Sequence, residues 1–245
     1  VVYIASTAGA LAFVFGAVSN GTLPGDGAPV PTEGVAPLLY SLAASVGYVI
    51  PLILGTLIVT TEFRHKTLTA TFLATPRRGT VLWAKIVAGI VVGVGFGIVG
   101  ALSSVGPAAG FLTVFGIDTD LGAGSTWALI ARVVLALTIW VVVGIGVGTL
   151  VRNQVAAVVG VLVFTQFLEP IARTAGAFVE GLDTVTNYLP GAASDALVGA
   201  SIFQMAGAGA STSGLEWWAG GAVLLGYALV LLVLGYALNW RRDVS

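Results

Sequence analysis

The chain has 245 residues, of which 57% are hydrophobic and only 9% charged, against about 25% charged in an average soluble domain. With a mean hydropathy of +1.02 it has too little charge to cover a water-soluble surface, and too much apolar side chain for disorder. A net charge of −1 without a basic stripe excludes nucleic-acid binding as its main task. The absence of Cys and the single His exclude disulfides, thiolate metal sites, a cysteine nucleophile and a histidine-rich metal site.

What remains is an all-α integral membrane protein. A helix crossing the hydrocarbon core needs about 20 mostly apolar residues, and six runs qualify: about 1–19, 35–60, 81–105, 127–151, 155–175 and 217–240. They are continuous, so they predict helices rather than the alternating strands of a membrane barrel. The whole chain, 1–245, reads as one transmembrane domain, with no soluble domain on either face.

Val1 already lies in an apolar run, without an initiator Met or a basic flank. A signal peptide would need a positive n-region. The expectation is that cytoplasmic residues preceding Val1 are missing. Residues 20–34 follow as a turn-rich connector with Pro24, Pro29 and Pro31. Residues 106–126, with Gly, Asp and Ser, read the same way. The stretch 176–216 is longer and semi-apolar, which predicts short re-entrant or interfacial helices before the last span.

With six spans both termini share a side. That side also receives the loop 61–80 and the turn 152–154. It collects Arg64, Lys66, Arg77, Arg78, Lys85, Arg152, Arg241 and Arg242, eight of the ten basic residues, and only Glu62 and Asp243 of the acids. The excess of Lys and Arg predicts that this side is cytoplasmic. Trp83, Trp127, Trp217, Trp218 and Trp240 fall at span ends, where indole rings favour the headgroup layer. Trp140 lies inside the fourth span and reads first as a packing residue.

Two features inside the spans stand out. Gly89, Gly93 and Gly97, and then Gly144 and Gly148, recur every four residues, which makes smooth stripes for helix packing. A surface on which helices slide is the other reading. Arg132 and Glu169 are ionisable residues at matched depth, and intramembrane charges face protein or water. They are expected to pair, with Arg173 one turn from Glu169 as a competitor. A polar contact for a substrate or coupling ion stays open. Pro170 predicts a break or kink beside Glu169.

No P-loop spacing precedes Lys66 or Lys85, and no Ser-His-Asp set or paired catalytic carboxylates occur on one segment. The chain therefore reads as a non-enzyme, with no catalytic residue and no metal ligand set. Thr67 to Phe72 alternates polar and apolar, a strand-like period in conflict with the helix preferred here.

The segment Thr61–Lys85 holds Glu62, Thr67, then Leu73, Thr75, Pro76 and Arg78, and Lys85 entering the third span. It resembles the loop after the second span of ABC-2 type permeases, the membrane subunits of bacterial ABC exporters. Lys66 replaces the usual Gly before Thr67. The six-span layout fits as well, and the missing front would correspond to the interfacial helix of such permeases. The resemblance implies a cytoplasmic coupling helix over 62–75, between spans two and three, that contacts a separate ATPase chain. It implies two ATPases and a second permease copy or homologue in the working unit. ATP and Mg would sit on the ATPases, with no cofactor bound by this chain. The ATPase-coupling residues would be Glu62, Phe63, Arg64, Thr67, Leu68, Phe72, Pro76, Arg77, Arg78 and Lys85. Glu62, Arg64 and Thr67 would place the helix. Arg77 and Arg78 would meet the partner or lipid phosphate, though they also read as plain topology signals.

The expected function is a permease of an ATP-driven exporter in a prokaryotic plasma membrane. The scarcity of intramembrane charge points to a hydrophobic or amphiphilic cargo such as a drug, an antibiotic, a lipid or a lipopeptide, as in multidrug efflux. The alternatives are an ion-coupled secondary transporter or channel using Glu169, and an inert membrane anchor.

Overall fold

The computed structural model describes residues 1–21, 34–65, 78–179, 182–200 and 215–240. Among these residues all regular structure is helical, without a strand. The elements are α1 (Val2–Ser19), α2 (Val35–Ser45), α3 (Val49–His65), α4 (Arg78–Val114) and α5 (Gly124–Leu150). Then follow α6 (Gln154–Val163), a π-helical turn (Phe164–Leu168), α7 (Glu169–Phe178), α8 (Leu182–Thr186), α9 (Pro190–Val198) and α10 (Trp217–Gly235). A second π turn, Tyr236–Trp240, ends the last span. Six stretches are long and apolar enough to cross a bilayer: Val2–Ser19, Val35–His65, Gly79–Val114, Gly124–Leu150, Gln154–Gly176 and Trp217–Asn239. This is the layout of a multi-pass membrane protein.

α5 is the hub, packed against α3, α4 and α10. In lipid, helices are held by close packing more than by hydrophobic drive, and glycines make that approach here. A Cβ on Gly93 would stand 2.9 Å from the Thr138 Cα, and one on Gly97 3.0 Å from the Val134 Cα. Gly89 faces Ile145 in the same way. Gly144 lies against the Leu52 carbonyl, and a Cβ on Gly148 would stand 2.7 Å from the Thr56 carbonyl oxygen. Both stripes therefore pack inside one subunit, the first of α4 on α5 and the second of α5 on α3. Gly55, on α3, completes the second seam against the Val141 carbonyl.

Three boundaries differ from the expectations. The second span is two helices, broken at Val46–Tyr48, and it runs on to His65. Pro51 has no amide for the Gly47 carbonyl and its ring crowds that group. Gly47 instead accepts from the Ile50 amide at 3.2 Å. The third span is far longer than 81–105. α4 has 37 residues, about 55 Å at 1.5 Å per residue, and it continues through Pro107 to Val114. Packing on α1 overrides the break: Ala108 and Leu112 are fully buried, and Gly9 of α1 sits against Pro107 and Phe111. The predicted loop 106–126 accordingly shrinks to turns between Val114 and Gly124. In the stretch 176–216, α8 and α9 supply short helices, and α9 is buried along its whole length. Trp83, Trp127, Trp217 and Trp218 are exposed near helix ends, as interfacial rings should be.

The coupling helix predicted over 62–75 falls largely outside the described residues. α3 carries its first residues, Glu62 to His65. Lys66, Thr67, Leu68, Phe72, Pro76 and Arg77 lie outside them, as does the side chain of Arg78.

Candidate functional site

The site starts from a local backbone irregularity. In an α-helix the Glu169 amide would bond to the Thr165 carbonyl, and in a π turn the amide of residue 170 would do so. Here the Glu169 amide goes to the Phe164 carbonyl, and Pro170 has no amide to give. The Thr165 carbonyl is thus left over by its own helix. Tyr48, in the break between α2 and α3, donates its hydroxyl to it at 3.3 Å. The break expected at Pro170 is therefore a π turn just before it, the span continues, and Tyr48 ties the α2–α3 break to that turn.

The same turn aims Glu169 at α9. That helix begins at Pro190 with Leu189 as its N-cap residue, which has no side-chain acceptor. Its first amides need a partner from elsewhere. The Ala192 amide donates to Glu169 Oε1 at 3.1 Å, and Gly191 lies against the same oxygen. The carboxylate caps the helix across the fold and meets its positive dipole end. A Cβ on residue 191 would collide with the carboxylate, so glycine is required there.

Beside it, Arg173 Nη2 and Asp195 Oδ2 form an ion pair of 2.7 Å, and Ser45 donates its hydroxyl to Asp195 Oδ1 at 3.3 Å. Trp140 is 1% exposed, stacks on Tyr48 with ring centroids 4.6 Å apart, and donates its indole N–H to Ser194 at 3.0 Å. These groups surround a cavity of about 100 Å³ lined by Ser45, Tyr48, Thr165, Glu169, Arg173 and Asp195, among others. Glu169 is 2% exposed, yet its Oε2 has no hydrogen-bond partner.

Next to the polar cavity lies a larger apolar cleft of about 340 Å³. α6 packs on α3 and α10 packs on α5, and the cleft fills the space between α6 and α10. Its walls include Leu52, Trp140, Val143, Phe164, Tyr227 and Leu231. Thr165 lines both spaces, and the consecutive residues Pro190 and Gly191 line one each.

The expected Arg132–Glu169 pair is not formed. Arg132 donates from Nε to the Ala128 carbonyl at 3.3 Å, and its guanidinium sits 5.8 Å from the ring centre of Trp217. It turns toward Trp217 at the start of the last span while Glu169 turns inward to α9. The competitor Arg173 binds Asp195, a residue that the sequence reading left in a loop.

At the other end of the bundle, Lys85 at the start of α4 reaches back to α3. Its ammonium binds Glu62 Oε1 at 2.7 Å and donates to the Ile58 carbonyl at 3.1 Å. Lys85 is only 8% exposed. Arg64 donates to Gln154 Oε1 at 3.3 Å, joining α3 to α6, and Phe63 packs with the cluster around Val59 and Leu82. Of the predicted coupling residues, Glu62 and Lys85 thus touch directly, and Arg64 stands beside them at the same end.

No family model matches the chain, and no curated protein matches it either. Among the described residues no group of His, Cys, Asp and Glu could hold a metal ion.

Asp195, Ser45, Tyr48 and Ser194 are the site residues that sequence reasoning missed. A signal existed for one of them: Asp195 is a lone acid in the short apolar segment between Pro190 and Gly199.

Proposed function

We propose that the chain is the membrane-spanning permease subunit of an ATP-driven exporter that moves a hydrophobic or amphiphilic compound. The observation that carries this reading is the Glu62–Lys85 ion pair, 2.7 Å long and backed by the Ile58 carbonyl. Both residues belong to the segment that resembles the ABC-2 loop. The pair ties the end of α3 to the start of α4, so a force applied to the connection 66–77 acts on two spans together. α3 is in turn seamed to α5 through backbone contacts at Gly55 and Gly144, which carries the push to the hub. Tightly packed interiors transmit such displacements well.

In this reading the basic end is cytoplasmic and meets a separate ATPase. ATP bound by that partner supplies the differential affinity that shifts the permease between its states. The apolar cleft supports a lipophilic cargo, because almost all of its lining is hydrocarbon. The test is co-purification: the tagged chain, expressed with its neighbouring gene products, retains an ATPase subunit, and Glu62→Ala and Arg77→Ala weaken its retention and lower transport. No retained ATPase, together with transport unaffected by both variants, refutes the reading.

The unpartnered Glu169 Oε2 in a cavity favours a second reading, a transporter coupled to an ion at Glu169. It predicts transport that follows an ion gradient without ATP and is uncoupled by Glu169→Gln.

A further inference from the structure

We propose that the polar cavity and the apolar cleft are two halves of one binding site for a lipophilic ammonium compound, with the cationic head on Glu169 and the apolar body between α6 and α10. The inference rests on the exporter reading for its consequence, since it names the cargo class, but the binding itself requires no ATPase.

Three observations carry it. The first is an incomplete carboxylate. Glu169 is 2% exposed, its Oε1 is engaged by the Ala192 amide, and its Oε2 has no partner. A buried charged oxygen without a partner is costly, and the residue that carries it lines the cavity. The second is charge balance. Among the described residues lining the cavity, Glu169 and Asp195 are acidic and Arg173 is basic, with Arg173 bound to Asp195 at 2.7 Å. The complement is one positive charge. An ammonium provides it and brings hydrogen-bond donors, which the open oxygen accepts. The stacked Tyr48 and Trp140 rings add the aromatic surface that attracts cations.

The third is adjacency. Thr165 borders both spaces, and the Trp140 ring lines the cleft while its N–H holds Ser194 on the cavity side. A cleft of about 340 Å³ suits an apolar body of roughly drug-fragment size, and a pocket of mostly apolar lining with a few convergent polar groups is the usual form of a small-molecule site. A neutral amphiphile would fill the cleft and leave Oε2 unanswered. An anionic one would meet the carboxylate head on.

The full chain in phosphatidylcholine nanodiscs, with empty discs as the blank, tests this with tritiated decylamine and decanol. Decylamine is expected to bind saturably and at least tenfold more tightly than decanol. Glu169→Gln should lower decylamine affinity at least tenfold and leave decanol unchanged. Gly160→Phe places a ring in the cleft from a position with no atom within 4 Å of its Cβ, and should weaken both probes. Thermal melts confirm that each variant is folded, and the decylamine-to-decanol ratio of the unaltered chain stands independently of the variants. Equal binding of the two probes, no saturable decylamine binding, or a Glu169→Gln chain that still prefers the amine overturns the proposal. So does decylamine binding that ignores Gly160→Phe, which would confine the ligand to the polar cavity. A chain that binds decylamine selectively but retains no ATPase refutes the exporter reading and leaves the site standing. A chain that retains the ATPase and binds both probes alike refutes the site alone.

Discussion

Two carboxylates at opposite ends of the bundle, Glu62 half-buried and Glu169 buried, stand in different surroundings. Glu62 and Glu169 each engage one oxygen and leave the other unpartnered. Glu62 meets an ammonium from the neighbouring span, and the pair is locally neutral. Glu169 meets backbone amides, while the nearby guanidinium is bound to a second acid, Asp195. The first arrangement clamps two helices. The second leaves negative charge facing an open volume of about 100 Å³. Pairing within the chain makes a joint, and incomplete pairing beside a cavity makes a site.

That contrast can be broken by removing cations, and the effects should fall in order. Arg173→Ala removes the guanidinium bound to the buried Asp195, and it should destabilise the chain by about 3–5 kcal/mol, the range for breaking a buried pair. Denaturant unfolding in detergent measures it. Lys85→Ala should cost less, about 1–2 kcal/mol, because the Glu62 side chain keeps 30% exposure and water can reach it. The double variant Glu62→Gln, Lys85→Met should recover most of that loss while the proposed ATP-driven transport stays impaired, which separates stability from coupling. Trp140→Phe removes the Ser194 hydrogen bond and part of the stack on Tyr48, and should cost about 1 kcal/mol in the same assay. Glu169→Gln should be smallest, within about 0.5 kcal/mol in melting experiments, because the amide oxygen still caps α9 and a charge is relieved. A large loss at Glu169 would mean that its ionic form holds the fold together, and the distinction between joint and site would fail.

The sequence shows the spans and hides the site, and the reasons are physical. Lipid demands a fixed length of apolar chain, so counting alone places all six crossings to within a few residues at most ends. The exception is α4, which runs past the expected end through Pro107, where Gly9 of α1 packs against Pro107 and Phe111. Reading 35–60 as one run misses the break at Gly47, although the absent Pro51 amide and the Gly47 carbonyl are four residues apart. The charges were found, but their partners were not. Depth along a helix can be counted from sequence, and it gave Arg132 and Glu169 the same level. The direction of a side chain around its helix depends on packing, and it sends Arg132 to Trp217 and Glu169 to α9. Asp195 was invisible as a partner for Arg173 because it lies on a short helix that only tertiary burial stabilises. Isolated nine-residue helices are not stable in water.

The proposed permease takes force from an ATPase at its Glu62–Lys85 end. The most direct test is transport in sealed proteoliposomes that contain the chain with its co-purified partners. Movement of a lipophilic amine is expected to require ATP hydrolysis, to persist when ion gradients are collapsed, and to fall at least tenfold in Glu62→Ala. Transport by the chain alone, driven by an ion gradient and indifferent to ATP, would contradict the proposal.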